Sequence, residues 1–332
     1  MSRSAAAKIQ AEPIEAETRD TPLLKIADDP RRHPEPPAWY GRRVSLDGEF
    51  LEAGRRFSAE LQERFRFLRN IRPAALGTIL AKVLGPEDRR RIVRAENGLK
   101  IFADPFSHLG GALLEDGRLE SDTEAVIRRY VRPGDTFLDI GANEGYFSAL
   151  AGRLVGPAGL VIAVEPQSRL RDIIDINLRL NDIASYRIYS SAFGGEDGES
   201  ATINLWPSHN TGASSLVRSY RFSRNTESVR FVSLDRILRE SGVRHLDFVK
   251  VDVEGFEAEV VHAMAARLRD RRIGTLYLDY HAEILARRGI NPRTTHDEIL
   301  SCGYRMIGGD EANLSSYRLY QAVERANEDR ND

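Results

Sequence analysis

The sequence predicts an α/β protein in which helices cover both faces of a mostly parallel sheet. Short, almost continuously apolar segments such as 136–140 (TFLDI) and 160–166 (LVIAVEP) alternate with segments of helical length. Strands that are apolar throughout are buried on both faces, which is typical of parallel sheets with helical crossovers. Ligands of such sheets bind at the carboxyl ends of the strands, and several polar residues of this sequence follow those ends directly.

The elements can be placed in order along the chain. A hairpin is predicted around Asn97–Gly98, because Asn-Gly is a strong turn former. Strands are predicted at 136–140, 160–166, 186–193, 201–206, 229–234, 245–255, 274–281 and 317–323. Helices are predicted at 121–130, from 146, from 167 to 181, from 256, and at 294–302. Strands that alternate with helices in this way indicate βαβ units.

The composition excludes several classes of protein. The 332 residues include 48 basic and 50 acidic side chains, so the chain is not a polycation of the kind that binds nucleic acid. A single cysteine, Cys302, excludes an intramolecular disulfide framework and a cysteine-cluster metal site. No apolar run approaches the roughly 18 residues of a membrane span, and residues 1–20 lack the apolar core of a secretory signal. We therefore expect a cytoplasmic protein without a transmembrane segment or a nucleic-acid partner.

Four regions differ in composition. Residues 1–40 contain six of the 14 prolines and few large apolar residues, which predicts a disordered tail. Residues 41–95 contain 13 basic and seven acidic residues, and their apolar residues recur at helical spacing, which predicts a basic helical extension. This extension either packs on the main domain with solvated arginines, which we favour, or binds an anionic partner. Residues 96–325 form the predicted main domain, and residues 326–332 a charged tail.

The turn after the first core strand carries the first candidate site. Gly141 and Gly145 permit positive φ and a close approach of the backbone to a ligand. A dinucleotide-binding turn has the pattern G-x-G-x-x-G, whereas Asn143 stands here in place of the middle glycine. The flanking acids Asp139 and Glu144 would repel a pyrophosphate but suit a cationic ligand. S-adenosylmethionine, which carries a sulfonium and an ammonium group, fits this pattern.

Glu165 falls at the carboxyl end of the second core strand, 24 residues after Gly141. An acid at this position can accept hydrogen bonds from both hydroxyls of a ribose, as it does in nicotinamide cofactor sites. Glu165 could instead be a neighbour of a helix N-cap, since Pro166 suits the first helical position. Together with the preceding turn, Glu165 favours cofactor binding. Ser191 and Ala192, near the end of the third predicted strand, stand where an adenine edge would lie.

Five segments of the chain resemble the FkbM-type methyltransferases. They are DIGANEGYFS (139–148), AVEPQ (163–167), LRLN (178–181), SLD (233–235) and FVKVDVEGFEAEVV (248–261). The resemblance extends over residues 98–310 and does not cover residues 1–90. It implies a class I, Rossmann-like fold with a mostly parallel seven-stranded sheet, and dependence on S-adenosylmethionine. Members of this family are mostly O-methyltransferases that act on sugars, glycans, polyketides and other natural products.

The resemblance also implies roles for individual residues. The cofactor-binding positions correspond to Asp139, Gly141, Asn143, Gly145 and Glu165. Asp252 and Glu254 correspond to the VDVEG motif at the end of the fourth core strand, where Asp252 is expected to face the cofactor's methionine part or the acceptor. Glu254 either shares this role or caps the following helix.

Methyl transfer to a hydroxyl requires removal of the hydroxyl proton. His281, at the end of the fifth core strand, is the candidate base, and Asp252 is the second candidate catalytic residue. Asp279 could orient His281, although family sequences usually have Glu ahead of this histidine. Asp252, Asp279 and His281 could alternatively bind a divalent metal, but the sequence shows no dense carboxylate cluster, and no metal site is assigned. A lone histidine is also compatible with a structural role.

Two further places are candidates for the site. Glu120 precedes the first core strand and resembles a family position near the cofactor, but it could equally be a surface acid. The segment 206–216 is rich in small polar residues and contains Trp206, His209 and Asn210. It is either an acceptor-binding lid or a turn-rich connection.

The residues and the resemblance together predict an S-adenosylmethionine-dependent O-methyltransferase, with a hydroxyl of a sugar, glycan or natural product as the acceptor. Two alternatives stay open at this point. A nicotinamide-dependent oxidoreductase shares the sheet and the ribose acid, but Asn143 and the glycine spacing argue against it. A non-catalytic protein that binds a partner through residues 41–95 is disfavoured by the intact cofactor turn.

Overall fold

The computed structural model describes residues 90–104, 107–206, 208–217, 225–310 and 317–323. The predicted tails, 1–40 and 326–332, lie outside these ranges. Of the basic helical extension predicted at 41–95, residues 41–89 lie outside these ranges.

The described ranges contain eleven strands and eight α-helices. The strands are β1 (Arg91–Arg94), β2 (Lys100–Ala103), β3 (Thr136–Ile140), β4 (Leu160–Val164), β5 (Tyr186–Tyr189), β6 (Ser200–Asn204), β7 (Thr226–Arg230), β8 (Leu246–Val251), β9 (Ile273–Leu278), β10 (Tyr304–Gly309) and β11 (Arg318–Ala322). The helices are α1 (His108–Glu115), α2 (Ser121–Tyr130), α3 (Tyr146–Val155), α4 (Ser168–Leu180), α5 (Leu234–Ser241), α6 (Glu257–Arg269), α7 (Ala282–Arg287) and α8 (Pro292–Ser301). A 3₁₀-helix spans Ser208–Ala213.

The central sheet has seven strands in the order β10-β11-β9-β8-β3-β4-β5. Neighbours are parallel from β9 to β5, whereas β11 is antiparallel to both β9 and β10. This confirms the predicted seven-stranded, mostly parallel sheet. The strand order changes direction between β3 and β8, and such a switch point opens a crevice at the carboxyl ends of the strands.

Helices cover both faces of this sheet, as predicted. In β3, Phe137 packs with the β1–β2 hairpin and helices α2 to α4, whereas Leu138 packs with α5, α6 and α8 on the other face. Both side chains are fully buried. The alternation follows from the period of two in a strand and explains why β3 is apolar at nearly every position.

The hairpin predicted at Asn97–Gly98 is confirmed. Arg94 pairs with Lys100, so five residues connect β1 and β2 rather than the two of the tightest turns. Asn177 of α4 attaches this hairpin to the domain, because its Oδ1 accepts a hydrogen bond of 2.7 Å from the backbone N–H of Phe102.

Several parts of the fold differ from the expected elements, among them the helices α1, α5 and α7, which are not predicted. Strand β10 is not predicted from the sequence, because it lies at the sheet edge with only Tyr304 buried and ends in a glycine pair that is typical of turns. Strands β6 and β7, which are predicted, pair with each other and form a two-stranded sheet separate from the central one. Among the described helices, none is long and apolar enough to span a membrane.

Candidate active site

A cavity of about 270 Å³ lies at the carboxyl ends of the parallel strands. Seven of the nine residues predicted for the site line it: Gly141, Asn143, Glu165, Ser191, Ala192, Asp252 and His281. The other two, Asp139 and Gly145, lie behind the cavity wall. The structure therefore brings together residues from the ends of five neighbouring strands, β5, β4, β3, β8 and β9, as the parallel topology requires.

The glycine turn after β3 is packed backbone to backbone against the turn after β8. Gly141 has a φ of +82°, and a Cβ atom there would lie 1.8 Å from the carbonyl oxygen of Asp252. Gly145, with a φ of +81°, is the N-cap of α3 and packs against Ile174. Only glycine combines this backbone conformation with so close an approach.

Asp139 is buried beneath this turn and does not reach the cavity. Its Oδ2 accepts a hydrogen bond of 2.7 Å from the hydroxyl of Ser148, which ties β3 to α3. Burial raises the pKa of Asp139, although the ammonium of Lys250, 3.7 Å from Oδ1, acts in the opposite direction. Any effect of Asp139 on a ligand is therefore transmitted through Lys250 and the turn.

Glu165 is buried in the cavity wall and is held in place from two sides. Its Oε2 accepts a bond of 2.9 Å from the backbone N–H of Asn143, and its Oε1 accepts bonds of 3.0 Å from the backbone and side-chain nitrogens of Gln167. Burial raises the pKa of Glu165, while these donors favour the charged form. A carboxylate has about four acceptor positions, so three bonds leave room for a further donor.

Ser191 and Ala192 form the cavity wall beyond β5. Ala192 is buried, and its N–H and carbonyl bond to Arg230 and Val232. Because β5 and β9 are the outermost of the five parallel strands, Ser191 and Ala192 lie at the end of the cavity away from His281.

Lys250 is a buried cation beneath the polar end of the cavity. Its Nζ lies 3.2 Å from Oδ2 of Asp252 and 5.1 Å from the ring centre of Phe147. Burial alone would lower the pKa of Lys250, but Asp252 and Asp139 outweigh it and raise the pKa. Desolvation alone would raise the pKa of Asp252, but Lys250 and His281 stabilise its charged form and lower the pKa.

His281 is bonded to a carboxylate that the sequence analysis did not identify. Its Nδ1 donates a hydrogen bond of 2.7 Å to Oε1 of Glu257, a fully buried residue whose Oε1 also accepts from the N–H of Gly255. Its Nε2 lies 3.7 Å from Oε2 of Glu254. Burial alone would lower the pKa of His281, but the bond to Glu257 and the charges of Asp252 and Glu254 raise it to about 10.

Asp279 lies beside His281 but does not orient it, because Glu257 holds the Nδ1 atom. One ligand atom from each of Asp252, Asp279 and His281 lies within 4.8 Å of the other two. Burial and the charge of Asp252 raise the pKa of Asp279. The three residues considered as a metal-binding alternative are therefore adjacent in space.

Two glutamates complete the acidic end of the cavity. Glu120, with a φ of +43°, lines the cavity at its exposed rim, and partial desolvation and the charge of Asp252 raise its pKa. Glu254, with a φ of +50°, does not cap α6, whose N-cap is Phe256 without a side-chain bond. Non-glycine residues with positive φ are uncommon and concentrate at functional sites.

Residues 208–217, here called the roof segment, cover part of the cavity. The hydroxyl of Thr211 donates a bond of 2.7 Å to Oδ1 of Asn143, and Ser215 donates a bond of 2.9 Å to the carbonyl of Glu254. Trp206 does not line the cavity, and the side chain of His209 lies outside the described residues.

The sheet order, the glycine turn after β3 and the buried acid after β4 define a class I, Rossmann-like methyltransferase. The sequence matches the family described as "Methyltransferase FkbM domain" over residues 139–306. The chain belongs to this family, and its cofactor is S-adenosylmethionine. The predicted family, fold class and cofactor are thus confirmed, and the nicotinamide-dependent and non-catalytic alternatives are set aside.

Several solved structures are similar to this chain. An S-adenosylmethionine-dependent O-methyltransferase from Thermotoga maritima is 14% identical with a TM-score of 0.34, over 74% of this chain and 82% of that one. An rRNA methylase from Streptococcus thermophilus is 8% identical with a TM-score of 0.34, over 61% and 95%. Aeropyrum pernix fibrillarin, in complex with natively bound S-adenosylmethionine, is 14% identical with a TM-score of 0.34, over 60% and 73%. A search of curated proteins found no significant match.

Proposed function

We propose that this methyltransferase transfers a methyl group to a hydroxyl of a sugar, glycan or other natural product. The observation that carries the proposal is the pair formed by His281 and the buried Glu257 beside Asp252. A histidine whose second nitrogen is bonded to a carboxylate is the usual arrangement of a general base. A base is needed for a hydroxyl acceptor, because its proton must be removed during transfer.

The proposed cofactor site occupies the side of the cavity formed after β3, β4 and β5. S-adenosylmethionine supplies a methyl group on a positively charged sulfur. We assign Glu165 to the ribose, Ser191 and Ala192 to the adenine, and Gly141 and Asn143 to the turn that contacts the methionine part. Asp139 and Gly145 are assigned to the shape of that turn rather than to direct contact. The acidic character of the wall fits a cationic ligand.

The acceptor is assigned to the opposite side, between Asp252 and His281. Neutral His281 would be a strong base, since its pKa is raised to about 10, but it must first lose its own proton. A positive charge brought next to Asp252 favours that loss, because it offsets the carboxylates that stabilise the imidazolium. Asp252 then orients the hydroxyl, and proximity supplies a large part of the rate.

The charge of the cavity bears on the class of acceptor. Glu120, Asp252, Glu254 and Asp279 all line the acidic end, where carboxylates can accept hydrogen bonds from several hydroxyls of a polyol. The same carboxylates repel phosphate groups. This supports a small-molecule or glycan acceptor and the expectation of no nucleic-acid partner. A cytoplasmic location stays a prediction.

The test is to transfer a labelled methyl group from S-adenosylmethionine to a panel of glycosides, polyols and polyketide alcohols. We expect a label in an ether linkage that survives mild alkali, with turnover reduced about 10²- to 10⁴-fold in His281→Ala. Cofactor affinity should change little in this variant, because the base contacts the acceptor. A label found on a carboxylate, an amine or a carbon would overturn the proposal, as would normal turnover in His281→Ala.

A further inference from the structure

We propose that Asp252, Asp279 and His281 form a binding site for one divalent cation of the magnesium and manganese class. The three side chains come from the turns after β8 and β9 and line the same cavity. A role for this cation in binding the acceptor hydroxyl rests on the proposed function, whereas the cation site itself does not.

The spacing of the three side chains suits a common ion. Ligand atoms of the residues lie within 4.8 Å of one another. Ligands at about 2.1 Å from an octahedral ion are roughly 3 Å apart in adjacent positions, so modest side-chain rotations close the set. Asp252 is partly exposed, which leaves room for such a rotation, while the bond to Glu257 keeps His281 in place. Two carboxylates and an imidazole leave open positions for water or an acceptor oxygen.

The bond between His281 and Glu257 is a second, independent observation. Metal-binding histidines generally donate their other ring N–H to a carboxylate, which fixes the tautomer and the ring orientation. Here Nδ1 is bonded to Glu257, so Nε2, which lies 3.7 Å from Oε2 of Glu254, is the nitrogen left for an ion. The second oxygen of Glu257 is buried without a hydrogen-bond partner among the described residues. A cation bound to Nε2 of His281 would stabilise the negative charge of Glu257, because the imidazole ring lies between the two.

The charge around the three residues also favours a cation. Lys250 already contacts Asp252 and Asp139, whereas Asp279 has no ion pair with lysine or arginine in the described parts of the chain. Glu120 and Glu254 add negative charge to the same end of the cavity. Partly buried carboxylates in such number are costly without a compensating positive charge.

A cation at this place would bind the oxygen of the acceptor hydroxyl and lower its pKa. During transfer, the bond from sulfur to the methyl carbon breaks with its electron pair going to sulfur. The bond from the methyl carbon to the hydroxyl oxygen forms, and the hydroxyl proton passes to water. With the ion bound, His281 would be its ligand in place of acting as the base, and Glu257 would be a positioning residue that acts through His281.

The experiment measures binding of Mn²⁺ alone to the full-length protein by electron paramagnetic resonance. We expect one bound ion in the wild type and at least a tenfold weaker affinity in both Asp279→Asn and His281→Ala. Glu257→Gln keeps all three ligands, and its affinity should fall about 10- to 100-fold, the usual effect of removing such a support. Mn²⁺ should also broaden the imidazole resonances of His281 and raise the melting temperature of the wild type.

Two control variants distinguish coordination from a general attraction to acids. Glu120→Gln removes a charge from the same cavity, and Asp172→Asn removes one from the exposed surface; both should stay within about threefold of the wild type. Equal weakening in Glu120→Gln and Asp279→Asn would overturn the site, and so would a wild type that binds no Mn²⁺. Binding of S-adenosylhomocysteine by each variant verifies its fold. The Mn²⁺-binding experiment contains no acceptor. Its results therefore do not depend on the outcome of the methyl-transfer assay.

Discussion

The carbonyl oxygen of Asp252 occupies the space that a side chain on residue 141 would need. A Cβ atom on Gly141 would lie only 1.8 Å from that oxygen. The turn after β3 is therefore packed directly against the turn after β8. This contact sets the distance between the proposed cofactor and acceptor sides of the cavity.

This contact predicts an unusually damaging substitution. Gly141→Ala should lower the free energy of unfolding by about 3 kcal/mol or more, because backbone atoms must move. Gly134 is the matched control, since its φ is +89° but nothing lies within 4 Å of a Cβ atom there. Gly134→Ala should cost only the ~1–2 kcal/mol of a left-handed alanine. Urea unfolding of both variants measures the difference, and equal losses would contradict the steric explanation.

Glu165→Ala should weaken binding of S-adenosylhomocysteine roughly 30- to 1000-fold. Loss of two charge-assisted hydrogen bonds is expected to cost on the order of 2–4 kcal/mol. Because Glu165 also holds the N–H groups of Asn143 and Gln167, Glu165→Gln serves as a second variant that keeps the shape and one acceptor. Calorimetry is the measurement, with the exposed Glu196→Ala as control. An unchanged affinity would mean that the ribose binds elsewhere.

Lys250→Met should lower the free energy of unfolding by about 3–5 kcal/mol, since it leaves Asp139 and Asp252 without their buried cation. Adding Asp139→Asn to this variant should restore part of the loss. Lys100→Met is the comparison, because Lys100 is only partly buried and bonds to Asn181 through its backbone atoms. A small effect in Lys250→Met would show that water replaces the ammonium.

His281 should stay charged across the neutral range in the free protein. Its pKa is raised to about 10, whereas the unfolded chain has the ordinary value of about 6.5. The stabilisation from this charge is therefore complete below pH 6.5 and is lost as the pH rises through 10. Titration of the imidazole carbon resonances measures the pKa, and Glu257→Gln should lower it. A midpoint near 6.5 in the wild type would show that Glu257 does not stabilise the imidazolium.

The location of the site could be predicted because parallel strands bring their carboxyl ends together. Gly141, Glu165 and Asp252 are far apart in sequence, yet each follows a buried apolar strand, so the topology alone makes them neighbours. Sequence motifs could not show that Asp139 lies behind the wall. That depends on the alternation within β3, which points Asp139 towards Ser148 of α3.

The partner of His281 was missed for a different reason. Asp279 is two residues away in sequence, but Glu257, 24 residues away, makes the bond. Glu257 lies in the first turn of α6, three residues after Glu254, and this spacing is visible in the sequence. Only the packing of α6 against β9 shows that the side chain of Glu257 is buried. The contacts of Lys250 with Asp139 and Asp252 are likewise visible only in the structure.

The roof segment makes bonds to both halves of the cavity. Thr211 bonds to Asn143 and to Gln167, beside the proposed cofactor site, and Ser215 bonds to Glu254, on the acceptor side. A ligand that orders one end of this short segment also lowers the entropy cost of ordering the other end. The affinities of cofactor and acceptor are then linked, and thermodynamic reciprocity requires each to change the other by the same factor.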